Sequence, residues 1–410
     1  MTKFSNGVSV FSDHRGQAAV LLAIMLVPVM MAISFAVDIS RQESANQHLQ
    51  SAIDAASLAG ARALEDASNS DAQIKTVATA TFVANMETAF GDLVCEAATV
   101  DITRKTGLVT VGSACTLPTL FGGSFWKEEV AVANTSTAQA AITKLDLALM
   151  LDVTGSMHPN YNGPNTKLAD LKAAAKDAAA KLITPRTGDR VRISFNTYSG
   201  AVNAGIYAEK VFKNWEAGDS TCATEREGIA AWKDDAPRRR TWLGQRPIDE
   251  SRECPLSSVL PLTTDLNLFN TEIDKLTAKG PTAGHLGVAW AWYLISPDWS
   301  SVWPSASKPR AYTEDNVLKA VILMTDGEFN KEHGPGMGNS DQQAKKLCRK
   351  MRNQGVLVYA VAFQAPAEGK AVLQNCAGDP DRFFNADNGD ELKQAYDTIA
   401  SQLSNLALVN

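Results

Sequence analysis

An uncharged apolar segment near the N-terminus is the strongest constraint on what this chain can form. Residues 17–37 read QAAVLLAIMLVPVMMAISFAV and contain no charged side chain. A helix rising about 1.5 Å per residue would carry this segment across roughly 30 Å, the hydrocarbon thickness of a bilayer, whereas the apolar part of a signal peptide is usually about 7 to 15 residues long. We therefore expect a transmembrane helix over residues 16–38. A cleaved signal peptide is the alternative, since residues 34–36 have the small-x-small spacing of a cleavage site.

The charges and the cysteines predict on which side of the membrane each end of the chain lies. Lys3 and Arg15 precede it and Arg41 follows it, a slight positive-inside bias that predicts a cytoplasmic location for residues 1–15. All six cysteines follow the segment without CxxC spacing, which favours three disulfides in an oxidising compartment. The net charge of -6 and the pI of about 5.5 argue against a nucleic-acid-binding protein.

Residues 39–143 are expected to form a small extracytoplasmic α+β stalk. Ala and Leu recur at helical spacing after residue 39, and apolar and polar residues alternate on both sides of Lys105-Thr106-Gly107, which indicates a β-hairpin. Folding the chain about that turn places Cys95 nearly opposite Cys115. We therefore expect these two cysteines to form a disulfide.

From residue 144 to residue 410, apolar segments alternate with amphipathic ones. Four segments have the composition of buried strands: LDLALMLD, RVRISFNTYS, KAVILMTD and VLVYAVAFQ. Segments of helical period separate them. This alternation predicts an α/β fold with a mostly parallel sheet and helices on both faces. Residues 212–260 interrupt this alternation and are expected to form an insertion. Proximity alone would pair Cys222 with Cys254 and Cys348 with Cys376, although four cysteines allow other connectivities.

The first strand of this region ends in a cluster of oxygen-bearing side chains. Asp152, Thr154 and Ser156 follow the apolar run at alternate positions in LALMLDVTGSM. Open α/β sheets bind ligands at the carboxyl ends of their strands, and this spacing offers one carboxylate and two hydroxyls to a single point. Hard oxygen ligands select Mg²⁺, Ca²⁺ or Mn²⁺. The alternative is that these residues only cap the following helix.

Two later segments carry the same chemistry. KAVILMTDG is a second apolar strand that ends in an acid, Asp326, and KGPTAGHLG places Thr282 in a glycine-flanked loop just before a helix. Together with the Asp-x-Thr-x-Ser element, this combination resembles the metal-ion-dependent adhesion site of von Willebrand factor type A domains. The first element of that family is more usually Asp-x-Ser-x-Ser, and Thr154 keeps the hydroxyl.

The resemblance implies a role for each of these residues. Thr154 and Ser156 would lie at or near the metal, and Thr282 would be a direct ligand. Asp152 would hold the metal directly or through water, and Asp326 would act mainly through water. Mg²⁺ is the expected metal, with Mn²⁺ or Ca²⁺ as alternatives. The open coordination position is expected to take an acidic residue of a protein partner.

The N-terminal segment resembles a second family. An Arg-Gly pair leads into the apolar segment, Val37-Asp38 ends it, and AIDAASLAGARAL follows. These features are similar to the TadE/TadG-like proteins of bacterial tight-adherence (Flp) pili, among which TadG-like members join such an anchor to an extracytoplasmic von Willebrand A domain. The resemblance implies a single-pass protein of the bacterial inner membrane with periplasmic C-terminal domains. Its expected partners are the pilus or its assembly components.

Two other functions remain as alternatives. A membrane-anchored adhesin could bind a host or matrix ligand independently of a pilus. A Mg²⁺-dependent phosphatase of the haloacid dehalogenase type would also place an Asp after a strand, but its general acid is a second Asp at the position that Thr154 occupies. We therefore expect a scaffold or adhesion protein and not an enzyme. His158 and His285 lie near the motif and are expected to be loop residues, not metal ligands.

Overall fold

The computed structural model describes residues 14–87, 92–104, 106–121, 123, 127–140, 143–158, 166–334 and 338–409. The chain divides into two compact units, residues 1–140 and 141–410. Most of the segment predicted to be cytoplasmic, residues 1–13, lies outside the described residues, as does Lys105 of the predicted hairpin turn.

The described part of the first unit contains two helices and an antiparallel sheet. Its elements are α1 (His14–Leu64), α2 (Asp71–Met86), β1 (Val94–Cys95), β2 (Thr99–Thr103), β3 (Leu108–Pro118) and β4 (Glu129–Gln139). Strand β3 pairs with each of the other three strands. Cys95 lies opposite Cys115 in the register of β1 and β3, and the two cysteines form a disulfide.

Helix α1 changes character along its length. Apolar side chains from Val20 to Ile39 are largely exposed, and among the described residues α1 is the one helix long and apolar enough to cross a membrane. Farther along, Leu49 and Ile53 are completely buried. The helix continues through Pro28 without a break. One helix therefore provides both the candidate membrane anchor and part of the core of the first unit.

Gly60 determines how closely α1 approaches its neighbours. A β-carbon at this position would lie 2.8 Å from Val109 Cγ1 and 3.3 Å from Ala78 Cβ. Both separations are shorter than the optimum of about 3.5 to 4.0 Å between carbon atoms. A glycine within a helix normally lowers its stability. Here the missing side chain lets α1 pack directly against α2 and β3.

The second unit contains a six-stranded sheet with helices on both faces. In this sheet β12, β11, β10, β5, β6 and β9 lie side by side in that order, and all neighbouring strands are parallel except β6 and β9. The predicted α/β fold with a mostly parallel sheet is confirmed. The elements are β5 (Lys144–Asp152), α3 (Lys167–Leu182), β6 (Val191–Tyr198), β7 (Val202–Asn203), α4 (Ala208–Val211), β8 (Cys222–Ala223), α5 (Glu250–Glu253), β9 (Leu260–Thr263), α6 (Leu266–Asp274), α7 (Gly284–Ile295), β10 (Val317–Thr325), α8 (Ser340–Asn353), β11 (Leu357–Phe363), α9 (Ala367–Ala377), β12 (Phe383–Ala386) and α10 (Gly389–Val409).

The central strand β5 shows why both faces of this sheet are covered. Leu147 and Leu149 belong to the core that includes residues of α3 and α10, whereas Ala148 and Met150 belong to the core that includes residues of α7 and α8. Successive side chains of a strand point to opposite faces, so an unbroken apolar run needs a helical layer on each side.

The structure differs from the sequence prediction in several short elements. The sequence pattern does not predict β9, α9 or β12, and it predicts a helix as far as residue 280, whereas α6 ends at Asp274. Beyond α6 the backbone forms a hydrogen bond with the residue that follows β5, since the N–H of Lys279 donates to the carbonyl of Val153 at 2.7 Å. Gly280 has a φ of 87°, which an α-helix cannot contain.

The insertion over residues 212–260 packs onto the second unit. It contributes β8, which pairs with β7, and its side chains Ala223 and Leu243 are buried in the core that includes α7. A disulfide joins Cys222 to Cys254 across the insertion. The third disulfide joins Cys348 of α8 to Cys376 of α9.

A buried carboxylate links the amino-terminal ends of the central strands. Asp146 of β5 is completely buried and contacts three cations, Arg192 Nη2 at 2.8 Å, Arg310 Nη1 at 2.7 Å and Lys319 Nζ at 3.4 Å. Burial alone would raise the pKa of Asp146, but the positive charges outweigh burial and hold the pKa below its usual value. The negative charge of Asp146 is therefore balanced by its three cationic neighbours.

Removing the charge of Asp146 should strongly destabilise the second unit. In a fragment of residues 141–410, Asp146→Asn leaves Arg192, Arg310 and Lys319 without their buried counter-charge, and we expect the free energy of unfolding to fall by about 3 to 5 kcal/mol. Asp177→Asn removes the partner of Lys393 at an exposed ion pair and should change little. Urea denaturation near neutral pH measures both variants. Equal losses in the two would contradict the role assigned to Asp146.

Candidate metal-binding site

The candidate site lies at the carboxyl edge of the sheet, where β5 and β10 run side by side. Asp152 is the last residue of β5, and Asp326 directly follows β10. Because these strands are parallel neighbours, their carboxyl ends bring the two acids together. Thr154 and Ser156 follow in the turn after β5, and Thr282 lies just before α7.

The carboxylate of Asp152 is completely buried and accepts hydrogen bonds from three segments of the chain. The backbone N–H of Thr154 donates to Oδ1 at 2.8 Å. The hydroxyl of Tyr198, at the end of β6, and the hydroxyl of Thr325, at the end of β10, each donate to Oδ2 at 2.7 Å. Asp152 therefore fixes the ends of β5, β6 and β10 relative to one another.

Ser156 connects the turn after β5 to the residue after β10. Its hydroxyl donates to Asp326 Oδ1 at 2.5 Å and lies 3.0 Å from Thr154 Oγ1. The other oxygen of Asp326 accepts a hydrogen bond from Lys167 Nζ at 2.8 Å, in a largely buried ion pair. Lys167 is the first residue of α3, where a positive charge opposes the helix dipole. The negative charge of Asp326 offsets this unfavourable interaction of Lys167 with the helix dipole.

Thr282 belongs to a loop that is bonded to the turn carrying Ser156. The N–H of Gly155 in that turn donates to the carbonyl of Gly280 at 2.8 Å. A β-carbon on Gly327 would lie 3.5 Å from Thr282 Oγ1 and 3.8 Å from Ser156 Oγ, so both hydroxyls border the same small space. The structure thus brings Thr282 next to the hydrogen-bonded network of Asp152, Thr154, Ser156 and Asp326.

The donors of this cluster are two carboxylates and three hydroxyls, which is the kind of oxygen set that hard divalent cations prefer. Ser156 is half-buried and the other four residues are buried, so Ser156 marks the open side. Within the described ranges, no group of three or more His, Cys, Asp or Glu side chains could hold a metal. A cation here would therefore also need oxygen atoms from water or a partner. The residues present fit a hard cation that keeps open positions.

The electrostatics of Asp152 differ from those of Asp146 at the other end of β5. Burial, and after it the negative charge of Asp326, raises the pKa of Asp152 to about 6, although hydrogen bonds from Thr154 and Thr325 oppose the rise. The folded protein therefore disfavours the charged form of Asp152. A cation bound nearby would favour that form, because metal ligands must be deprotonated.

Three residues at the site are not part of the sequence motif: Tyr198, Thr325 and Lys167. Tyr198 lies opposite Asp152 in the register of β5 and β6, so a polar side chain at the end of the neighbouring strand is the signal that could identify it. Thr325 directly precedes Asp326, and it too is a polar side chain at the end of a strand that neighbours β5. Lys167 carries no signal in the sequence, because only the position of α3 brings it to Asp326.

The two histidines near the motif have different surroundings. His158 is exposed in a turn, whereas His285 is buried in α7, so the prediction that His285 is a loop residue is wrong. Its Nδ1 lies 2.7 Å from Ser340 Oγ and its Nε2 lies 3.0 Å from Glu225 Oε1. A Ser-His-acid arrangement can be catalytic. Here Ser340 is completely buried, and the three residues instead join α7 to α8 and to the insertion.

Asp152→Asn should stabilise the metal-free fragment of residues 141–410, and more strongly at higher pH. The folded-state pKa of about 6 exceeds the ordinary value of 3.8, so the stability linked to this group is fully present at low pH and is lost as pH rises through about 6. The advantage of the variant should therefore grow by roughly 3 kcal/mol between about pH 4 and about pH 7. Urea unfolding with a chelator measures this difference. A difference independent of pH would contradict the raised pKa.

Comparison with known families identifies two regions of the chain. A family model described as Flp pilus-assembly TadE/G-like matches residues 16–63, and a von Willebrand factor type A domain model matches residues 303–398. The second match includes Asp326, whereas the other four site residues lie outside it. No curated protein matches the chain.

Several solved structures are similar to part of this chain. The vWF domain of the type V pili tip protein Mfa5 from Porphyromonas gingivalis is 13% identical, with 66% of this chain and 97% of that chain covered and a TM-score of 0.41. The pilus adhesin SpaC from Lactobacillus rhamnosus GG is 13% identical, with 76% of this chain and 34% of that chain covered and a TM-score of 0.41. This chain thus matches about a third of SpaC. The adhesive tip pilin GBS104 from Group B Streptococcus agalactiae is 9% identical, with 63% of this chain and 100% of that chain covered and a TM-score of 0.39.

The two family matches confirm both resemblances that the sequence motifs indicate. The first covers the apolar segment and the packed part of α1 almost to its end, and the second begins before β10 and ends near the middle of α10. The chain therefore has a TadE/TadG-like N-terminal region followed by a von Willebrand factor type A domain.

Proposed function

We propose that this protein is a membrane-anchored, extracytoplasmic scaffold of a tight-adherence (Flp) pilus that binds an acidic protein partner through a metal-ion-dependent adhesion site. The observation that carries the proposal is the convergence of the hydroxyls of Thr154, Ser156 and Thr282 beside the carboxylates of Asp152 and Asp326. The TadE/TadG-like region supports the assignment to a pilus. The exposed apolar half of α1 supports a single membrane span.

The residues of the site have distinct tasks in this proposal. Thr154, Ser156 and Thr282 supply neutral hydroxyl ligands, and Ser156 faces the open side. Asp152 accepts two side-chain hydrogen bonds on Oδ2, so its main task is to hold the strand ends in place. When bound, a divalent cation, with Mg²⁺ preferred over Mn²⁺ or Ca²⁺, would supply a Lewis-acidic position for an acidic side chain of the partner.

Lys167 moderates the attraction of this site for cations. Its ammonium group neutralises part of the charge of Asp326, so Asp152, Asp326 and Lys167 together carry one net negative charge when both acids are ionised. A weakly charged site binds a divalent cation less tightly than two uncompensated carboxylates would. We therefore expect tight binding only when a carboxylate of the partner completes the site.

The proposal is a binding function and not a catalytic one. Thr154 occupies the position where a phosphatase of the haloacid dehalogenase type has its general acid, and a hydroxyl cannot replace that group. Both carboxylates are engaged by hydrogen bonds or by Lys167. The hydroxyl of Ser156 donates to Asp326, but Lys167 engages the other oxygen of that carboxylate, so the proposal assigns this contact to positioning Ser156.

Mg²⁺ or Mn²⁺ should stabilise a soluble fragment of residues 141–410. A ligand that binds only the folded state stabilises it by about 2.7 kcal/mol at a hundredfold excess over its Kd, which raises the melting temperature. Ser156→Ala should abolish this response without unfolding the fragment, because it removes one hydroxyl at the open side. Lys167→Met should strengthen the response, because it removes a competing positive charge.

Ser401→Ala is the matched control for Ser156→Ala. The hydroxyl of Ser401 bonds only to the carbonyl of Asp397 within α10 among the contacts observed, so its loss should leave the metal response unchanged. Identical melting of the wild-type fragment in metal and in chelator would contradict the metal site.

The partner can be identified by photo-crosslinking in intact cells. A photoreactive residue in place of the exposed His158 would lie two positions from Ser156, and we expect it to capture a protein of the pilus or of its assembly system. Ser156→Ala in the same full-length chain should lower the yield of this product, and Ser401→Ala should not. Capture of a host or matrix ligand in cells without a pilus would instead establish the adhesin function.

The proposed orientation has residues 1–15 in the cytoplasm and the chain from residue 39 onward in the periplasm. Protease added to spheroplasts should therefore degrade nearly the whole chain and leave a short membrane-protected N-terminal fragment. Detection of fragments with an antibody against an N-terminal tag measures the outcome. Complete protection of the membrane-bound chain, with degradation only after lysis, would show the opposite orientation.

A further inference from the structure

The residues that directly follow β3 lie beside the apolar half of α1. Strand β3 ends at Pro118 and β4 begins at Glu129, and Leu120 and Phe121 follow the end of β3. The carboxylate of Asp38 accepts hydrogen bonds from the backbone N–H groups of Leu120 at 2.9 Å and of Phe121 at 3.2 Å. We call Leu120 and Phe121 the hairpin tip.

A second contact fixes the same end of the sheet to α1. Arg41 donates a hydrogen bond to the carbonyl of Pro118 at 3.2 Å and forms an ion pair with Asp92 at 2.5 Å. Asp38 and Arg41 are three residues apart and therefore lie on one side of the helix. Two adjacent points of α1 thus determine where the hairpin tip lies.

The position of Asp38 along α1 determines the depth of the hairpin tip. If residues 17–37 cross the hydrocarbon layer, Asp38 is the first residue beyond it. Met31 lies seven residues earlier, roughly 10 Å deeper at about 1.5 Å per residue. The tip that Asp38 holds is therefore at the boundary between the acyl chains and the headgroups on the extracytoplasmic side.

A cavity of about 350 Å³ lies between α1 and the end of the sheet. Its apolar lining includes Met31, Phe35, Ile39, Phe121 and Val130. This volume falls within the range of roughly 300 to 1,000 Å³ that is usual for pockets that hold small ligands. Because Met31 and Phe35 belong to the apolar segment itself, the cavity is continuous with the surface that would face lipid.

Four polar side chains line the cavity, those of Ser34, Asp38, Gln42 and Thr119, and hydrogen bonds within the protein engage three of them. The hydroxyl of Ser34 donates to the carbonyl of Met30 at 2.8 Å, and the hydroxyl of Thr119 donates to the carbonyl of Lys127 at 2.6 Å. The carboxylate of Asp38 holds the hairpin tip. The cavity therefore presents mainly hydrocarbon to an occupant.

The hairpin tip itself is apolar and exposed. Leu120 is 58% exposed and Phe121 is 47% exposed. Single exposed apolar residues are common on protein surfaces. Phe121, however, lines the cavity together with the exposed Met31 and Phe35, at the boundary of the proposed membrane span.

We propose that the hairpin tip and the cavity beside it bind acyl chains of the extracytoplasmic leaflet, so that the stalk has a second membrane contact besides the span. The inference rests on the membrane span of the proposed function and is independent of the metal site. The lipid contact would fix the rotation of α1 about its own axis, since only one side of the helix carries the hairpin.

Lipid photo-crosslinking of the full-length chain in its native membrane tests this proposal. Benzoylphenylalanine would replace Phe121, Leu26 within the span, or Leu58 on α1 twenty residues beyond Asp38. Leu58 is 50% exposed and is therefore the matched control for Phe121. We expect lipid adducts, identified by the mass of the crosslinked peptide, at Phe121 and Leu26 and severalfold fewer at Leu58.

The three positions separate failure of this inference from failure of the membrane span. Lipid adducts at Leu26 without adducts at Phe121 would overturn the inference and leave the span intact. Protein adducts in place of lipid adducts at Phe121 would also overturn it, because another protein would then occupy the cavity. Absence of lipid adducts at Leu26 would remove the span and with it the inference.

A substitution at Asp38 tests how the hairpin tip is positioned. Asp38→Ala removes the acceptor of the Leu120 and Phe121 amides, so lipid adducts at residue 121 should decrease severalfold while those at Leu26 stay the same. Asp54→Ala is the matched control, since Asp54 is exposed on α1 and accepts from Gln50 within the helix. An equal yield at residue 121 in both variants would refute the positioning role of Asp38.

Discussion

The buried carboxylate of Asp152 holds the candidate site together. Tyr198 and Thr325 donate to it from the ends of the two strands that flank β5, and Thr154 donates from the turn that carries Ser156. Its charge is poorly compensated, whereas Asp146 at the other end of β5 faces three cations. A stabilising acid at one end of the strand and a destabilising acid at the other are consistent with a purely structural role for Asp146 and with the location of Asp152 in a candidate binding site.

Much of the fold could be predicted because the signals are local. The unbroken apolar run of β5 indicates burial on both faces. The hairpin brings Cys95 close to Cys115, and a one-residue shift in register between β2 and β1 places the two directly opposite each other. The short strands β9 and β12 have four residues each, too few to show a period. The sequence after Asp274 favours a continued helix. Helix α6 nevertheless ends there, because the hydrogen bond from Lys279 to Val153 holds the following backbone in another conformation.

At the candidate site, the acids at strand ends could be predicted because a parallel sheet brings its carboxyl ends to one edge. Lys167 could not be predicted, since its pairing with Asp326 depends on where α3 begins. His285 was expected in a loop because the oxygen-bearing side chains suffice for a metal and no pair of histidines has the spacing of metal ligands. Its burial comes from Ser340 and Glu225, which are distant in sequence and meet only in the folded chain.

The continuity of α1 has a mechanical consequence for the first unit. The helix passes from the apolar segment into the packed core without a break, and Leu49 and Ile53 are buried there. Helices adjust to bilayer thickness mainly by tilting. If the exposed half of α1 spans a membrane as proposed, that half and the packed half belong to one unbroken helix. A tilt of its lower half in the bilayer would swing the attached sheet through the same angle, so the thickness of the membrane would set the inclination of the stalk.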